Sequence, residues 1–274
     1  MLAKPFRIGD GQRRDHHRRG APGTREEIET TLRRISGADV RVTAVKTATR
    51  FTDNARQADR YRRGRVLLAG DAAHVHSPFG GQGLNLGLLD AVNLGWKLAA
   101  VVCDRMPESL LDSYTEERHP IAARVLANTR AQVALMRPDV MTDALREIVA
   151  DLVSLDEGTR YFGEMISGIR IRYDLGSDHP SAGRLSGNFA LGDDCAETTL
   201  FDQMEDGRAV LVDATDGAAS AIAARWDILV RCVPRRGGAS LLIRPDACIA
   251  WAADDADTTG LDAALTRWFG PATQ

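Results

Sequence analysis

The apolar positions of this chain change period several times, and each change predicts an element. Ile28, Leu32 and Ile35 recur at helical spacing behind Thr24-Arg25-Glu26-Glu27, a capping-box sequence, and Gly37 ends the pattern. Val40, Val42 and Ala44 then alternate with Arg41 and Thr43, the period of a half-buried strand. Val66-Leu67-Leu68-Ala69, between Gly64 and Gly70, is a short continuous apolar run, expected as a strand covered on both faces. From Gln82 to Cys103 apolar residues occur nearly all round a helix, which predicts a core helix. Helical spacing continues from Ser109 to Ala134, with a kink expected at Pro120, and from Val140 to Leu155. There Met141, Leu145, Ile148, Leu152 and Leu155 form a stripe expected to be buried.

The punctuation suggests a domain order. Residues 1–23 are rich in Gly and read as an irregular tail, residues 24–175 as one unit, and residues 176–188 as a linker. Residues 189–274 read as a second, small α/β unit. Its strands are expected at 208–213, 227–233, 239–244 and 247–252, with helices at 218–226 and 258–269. The whole is of the α/β class.

Composition narrows the function classes. Charged residues make up 27% and hydrophobic residues 44% of the 274 positions, which argues against a disordered or fibrous chain. The net charge of −3 gives no global attraction to nucleic acid or to an anionic membrane. Six Lys/Arg against two Asp in the first 20 residues lack aromatic interleaving and read as a solvated tail, so no nucleic-acid partner is expected. No run is long and apolar enough for a membrane span, and no secretory core opens the chain, so a cytoplasmic location is expected. Cys103, Cys195, Cys232 and Cys248 form no C-x-x-C pair and no zinc spacing.

The chemistry concentrates in residues 64–98, a strand, a carboxylate, a Gly-rich turn and a helix. Asp71 follows the strand, where open α/β sheets bind ligands, and its two acceptor oxygens suit vicinal hydroxyls. Pro78-Phe79-Gly80-Gly81-Gln82-Gly83 then opens the helix, whose unpaired N–H groups attract an anion or an electron-rich carbonyl. No Lys sits in this loop, so it is not a P-loop. His74-x-His76 with Asp71 lacks a third ligand for a metal, and Ser77, His76 and Asp71 lie too close in sequence for a nucleophilic triad.

Gly70-Asp71-Ala72-Ala73-His74, then Pro78, Gly80, Gln82, Gly83, Leu84 and Asn85, closely resembles the second FAD-binding motif of the flavin-dependent aromatic hydroxylases of phenol and polyketide type. Phe51 to Ala58, Asp90 to Leu98 and Tyr114-x-x-Glu117-Arg118-His119-Pro120 resemble its flanks. Leu242 to Asp246 with Trp251 resembles the thioredoxin-like module that ends the longer members. The resemblance runs from about residue 24 to the C-terminus. It implies a partial, Rossmann-like FAD-binding domain with helices, followed by a thioredoxin-like domain.

The same resemblance implies cofactor-binding roles for Gly70, Asp71, Pro78, Gly80, Gln82, Gly83, Leu84 and Asn85. Asp71 would hold a ribityl or ribose hydroxyl of FAD, and the N–H groups of Gly83, Leu84 and Asn85 would face the flavin N1–C2=O edge. Pro78 and Phe79 would lie near the ring and the substrate. NADPH would reduce the flavin, O2 would add to give a C4a-hydroperoxide, and an aromatic substrate would be hydroxylated with no catalytic side chain.

The family's opening G-x-G-x-x-G turn has no counterpart in this sequence, so a C-terminal portion of a hydroxylase is expected. It would work with an N-terminal half or as a homo-oligomer. The other reading is a non-catalytic remnant or interaction fragment needing a partner chain. A redox role for the last unit is not expected, because Cys232 and Cys248 sit in strand patterns and Trp226, Trp251 and Trp268 read as core.

Overall fold

The structure, a computed structural model, describes residues 23–48, 54–191 and 198–272. The basic tail, Phe51-Thr52-Asp53 and Cys195 lie outside the described residues. Helix α1 (Arg25–Ser36) begins as its capping box dictates. Thr24 Oγ1 accepts from Glu27 N–H, Glu27 returns a bond to Thr24 N–H, and Gly37 closes the helix at φ +65°. Residues 39–45 form no strand, against the alternation. A strand needs a neighbour to satisfy its backbone, and none of the described residues pairs with this segment. It is tied to α1 instead, by Arg33 Nε to Val40 O and by Val42 N–H to Glu29.

Four two-residue strands follow. β1 (Arg56–Gln57) pairs antiparallel with β4 (His74–Val75), and β2 (Arg62–Arg63) with β3 (Val66–Leu67). The run 66–69 is therefore one arm of a hairpin and not a strand buried on both faces. With one neighbour it shows the alternation of a half-covered strand, Val66 exposed and Leu67 half-buried.

Helices α2 (Gln82–Val102), α3 (Asp112–Leu135), α4 (Val140–Ser154) and α5 (Asp156–Ser167) come next, with Pro120 inside α3. Helix α2 reverses the expected polarity. Its buried residues include Gln82, Asp90, Asn93 and Lys97, while Leu88, Val92 and Val102 are exposed and Leu84 is 74% exposed. Asp90, Asn93 and Lys97 stand at i, i+3 and i+7, so they share one face, and α3 supplies charged partners to that face. Nor is the stripe of α4 buried: Met141 is 82% exposed, and Leu145, Ile148, Leu152 and Leu155 are exposed with it. No described element lies over it. No helix among the described residues is long and apolar enough to cross a membrane.

Residues 176–188, expected as a linker, are held against the rest. Arg184 bridges Arg172, Leu185 bridges Cys248, and Ala182 and Gly183 are buried. They lead into a four-stranded sheet of order β6-β5-β7-β8, made of β5 (Ala209–Asp213), β6 (Val230–Pro234), β7 (Ser240–Ile243) and β8 (Ile249–Ala253). β5 and β6 run parallel across α6 (Ala218–Ala223), while β7 and β8 form an antiparallel hairpin followed by α7 (Leu261–Phe269). β5 is buried throughout because both faces are covered. Ala209 and Leu211 meet α6, α7 and Trp268, whereas Val210 and Val212 meet Leu191 and Leu200. Trp226, Trp251 and Trp268 are core residues. Trp96 and Val101 of α2 pack on the same core, which joins the helices to the sheet.

Candidate functional site

The Gly-Asp-Ala-Ala-His segment is a turn between β3 and β4. Gly70 lies at φ +56°, a conformation that favours glycine, and a Cβ on Gly87 would stand 3.4 Å from Gly70 Cα. The turn is thus seated directly on the second turn of α2. Asp71 projects outward. Its carboxylate is exposed and makes no hydrogen bond or ion pair among the described residues.

Pro78, exposed, and Phe79, half-buried, lead into Gly80 and Gly81 at φ +75° and +64°. Gly81 is the N-cap of α2 and offers no side chain to its first turn. The N–H groups of Gln82, Gly83 and Leu84 therefore lack intrahelical acceptors, while that of Asn85 begins the helical ladder. The Asn85 side chain is exposed. Just before the turn, the buried Ser77 Oγ has no hydrogen-bond partner. In the sequence Ser77 stands out only as a triad candidate with His76 and Asp71, which their spacing excludes.

Gln82 differs from the other predicted site residues. Its side chain is buried and turned into the protein, donating to Met165 O at 3.1 Å and Ile166 O at 3.5 Å and accepting from Asn128 Nδ2 at 3.0 Å. Gly80 is hemmed in on one side, since a Cβ there would lie 3.3 Å from Gln132 Nε2.

A buried charge cluster holds the turn to the helix. Asp90 accepts from Gly70 N–H at 3.0 Å and from Arg118 Nε at 2.8 Å, and lies 2.5 Å from His74 Nε2. Arg118 also donates to Leu86 O and Tyr173 Oη. Burial by itself would raise the Asp90 carboxyl. The His74 hydrogen bond and the Arg118 charge outweigh it and hold the group below the usual carboxylate range. His74 thus serves the fold, and His76 Nδ1 faces Ser77 O at 2.7 Å. Among the described residues no three His, Cys, Asp or Glu side chains gather as a metal site.

A second cluster ties the helices to the β7–β8 turn. Glu117 accepts from Lys97, Asn93 and both terminal nitrogens of Arg244, and Asp246 accepts from Asn93 and Arg244. The Arg244 guanidinium also lies 4.3 Å from the centre of the Trp268 ring. Against the cost of burial, Arg244 and Lys97 pull the Glu117 carboxyl down to about 2. Burial, only partly offset by Glu117, brings Lys97 down to about 8. The Cys248 thiol, just before β8, is pushed up to about 12 by burial, which leaves it unreactive. A cleft of about 850 Å³ is lined by Asp59, Arg60, Tyr61, Arg62, Val66 and Asp112 among others; its Tyr61 ring lies 5.9 Å from the His74 ring of the first cluster, and no candidate residue borders it.

The strand–turn–helix unit therefore presents one free carboxylate, one orphan hydroxyl and three free N–H groups beside Pro78 and Phe79. Comparison with known proteins gives it a setting. Residues 10–129 match the family model described as an FAD binding domain, and residues 179–272 match that of the aromatic-ring hydroxylase C-terminal region. The chain is 43% identical over 265 residues to a 12-dehydrotetracycline 5-monooxygenase/anhydrotetracycline 6-monooxygenase of Streptomyces rimosus, covering 92% of this chain and 53% of that protein. It is 43% identical over 256 residues to a rifampicin monooxygenase of Streptomyces venezuelae, covering 93% and 52%. The solved structure of the OxyS anhydrotetracycline hydroxylase from Streptomyces rimosus superposes with a TM-score of 0.84 at 43% identity, over 92% of this chain and 54% of that one. The chain spans about half the length of the curated relatives it matches.

Proposed function

Because the chain belongs to the FAD-dependent aromatic-ring hydroxylases, we propose that its strand–turn–helix unit holds the ring-bearing half of FAD in an aromatic-ring monooxygenase. The observation that carries this reading is the donor and acceptor set around the start of α2. FAD presents a carbonyl edge that needs donors and a chain of hydroxyls that needs an acceptor. The free N–H groups of Gln82, Gly83 and Leu84 supply the first, with the orphan Ser77 hydroxyl beside them, and the unpaired Asp71 carboxylate supplies the second. The residues present fit the group.

When bound, FAD would supply electrons taken from NADPH and the activation of O2. The protein's part is binding and field. The positive end of α2 lowers the energy of negative charge at the carbonyl edge, a fixed effect that needs no proton transfer. Asp71 orients the sugar hydroxyls, Gly80 and Gly81 let the backbone approach a flat ring, and Pro78 and Phe79 offer apolar contact to the substrate. The relatives named for tetracycline-type and rifampicin substrates support a fused phenolic or polyketide ring as the substrate class.

A second reading, an interaction fragment that functions only with a partner chain, draws on the exposed apolar stripes of α2 and α4. One experiment separates the two. The purified chain is mixed with FAD, desalted, and read by visible absorbance beside Asp71→Ala. The monooxygenase reading expects flavin retained by the wild type and lost by the variant, with NADPH oxidation then followed on phenolic substrates. A wild type that retains none favours the interaction reading.

A further inference from the structure

Gln82 opens α2, yet its side chain is buried and turned toward α3 and α5. Helix α5 ends at Ser167, so the carbonyls of Met165 and Ile166 belong to its last turn and lack intrahelical donors. The Gln82 amide caps both, and its oxygen is filled by Asn128 of α3. A primary amide has two donors and one acceptor oxygen, and here each has a partner in the protein. One buried side chain thus fastens the negative end of α5 and the body of α3 to the positive end of α2.

Apolar residues stand close to this clamp along the chain. Phe79 stands three residues before Gln82 and is half-buried. Leu84 lies two residues after it and is exposed, and Ile166, whose carbonyl it caps, is 48% exposed. An aromatic ring docked over the start of α2 would find such side chains within the reach that the Gln82–Ile166 hydrogen bond sets. Building on the proposed function, we infer that Gln82 is a positioning residue which holds Ile166, at the end of α5, as one wall of the aromatic substrate's site.

The test uses the full chain with FAD and 1-naphthol as the phenolic probe, and four variants: Gln82→Met, Gln82→Asn, Ile166→Ala and Asp71→Ala. Gln82→Met keeps the length and removes the donors. It should raise amide hydrogen exchange over residues 165–170 by about tenfold, the loss expected for hydrogen bonds of ordinary strength. It should weaken naphthol binding by a similar factor while FAD affinity changes less than threefold. Gln82→Asn, one methylene shorter, should restore part of the protection. Ile166→Ala should weaken naphthol binding and leave FAD binding unchanged. Asp71→Ala should lose FAD and leave exchange over 165–170 as in the wild type.

Unchanged exchange in Gln82→Met overturns the clamp. FAD loss in that variant equal to the loss in Asp71→Ala, with α5 still protected, makes Gln82 a flavin contact and overturns the assignment. Naphthol binding indifferent to Ile166→Ala overturns the wall. A wild type that holds no FAD defeats the functional reading and the wall with it, and the exchange data still decide the clamp.

Discussion

His74 Nε2 and Asp90 Oδ2 meet at 2.5 Å with both side chains buried, across 16 residues of chain. The contact joins the candidate turn to the helix beneath it, and Arg118 bonds the other Asp90 oxygen. Removing the Asp90 charge leaves Arg118 buried without its carboxylate. Asp90→Asn should therefore cost about 3–5 kcal/mol, read as a lower urea midpoint at unchanged slope. A cost under about 1 kcal/mol would mean that the cluster contributes no more than a surface pair does.

Glu117 makes acid the weak side of the molecule. Its carboxyl is held at about 2 in the fold against an ordinary 4.5, so the stability it contributes is complete above about pH 4.5 and fades as pH falls toward 2. Glu117→Gln should be less stable than the wild type at pH 7, and the difference should narrow over that window. Parallel urea titrations of the two proteins at pH 7, 4 and 3 test it.

Lys97 works in the opposite range. Burial lowers it to about 8 from 10.5, so the unfolded chain binds more protons between those values and stability should rise with pH there. Subtracting the pH profile of Lys97→Met isolates this slope from the titration of the tyrosines and thiols. A flat difference curve between pH 8 and 10 would show that Lys97 has its ordinary affinity for the proton.

Gly183 is fixed by its surroundings. It lies at φ +79°, and a Cβ would fall 2.0 Å from Tyr173 O. Backbone strain and a clash with main chain act together, so Gly183→Ala should cost about 3 kcal/mol or more. Circular dichroism melting of that variant, beside Gly187→Ala where a Cβ meets open space, makes the comparison internal.

The α4 stripe should behave as exposed surface. Replacing Leu145 and Leu152 together by Glu should reduce binding of the dye ANS and change stability by no more than about 0.5 kcal/mol at each site. A large loss of stability would place those side chains inside a core.

The last unit was legible because its signals are local. Alternating apolar runs around Leu211, Val230, Leu242 and Trp251, with turn residues between them, match β5 to β8 within a residue or two at most ends. The limits of α2 were equally plain, but the face it buries was not. Hydropathy sends Asp90 and Lys97 outward, and the reason they turn inward lies on α3, with Glu117 and Arg118, and on the β7–β8 turn, with Arg244 and Asp246. At the candidate site the turn and its glycines could be read from the motif. The inward side chain of Gln82 could not, since its partners are the Asn128 side chain 46 residues away and backbone carbonyls more than 80 residues away.

The hydrogen bond from Asn93 to Asp246 closes a loop of 153 residues. During synthesis at about 5–20 residues per second, Asn93 is made roughly 8–30 s before its last partner exists. Over that interval Lys97 and Glu117 can find each other, while the places of Arg244 and Asp246 stay empty. A ribosome-bound chain ending before residue 244 would therefore present a half-assembled charge cluster beside the apolar faces of α2 and α4. Such nascent chains are natural clients for chaperones until the β7–β8 hairpin is made and completes the cluster.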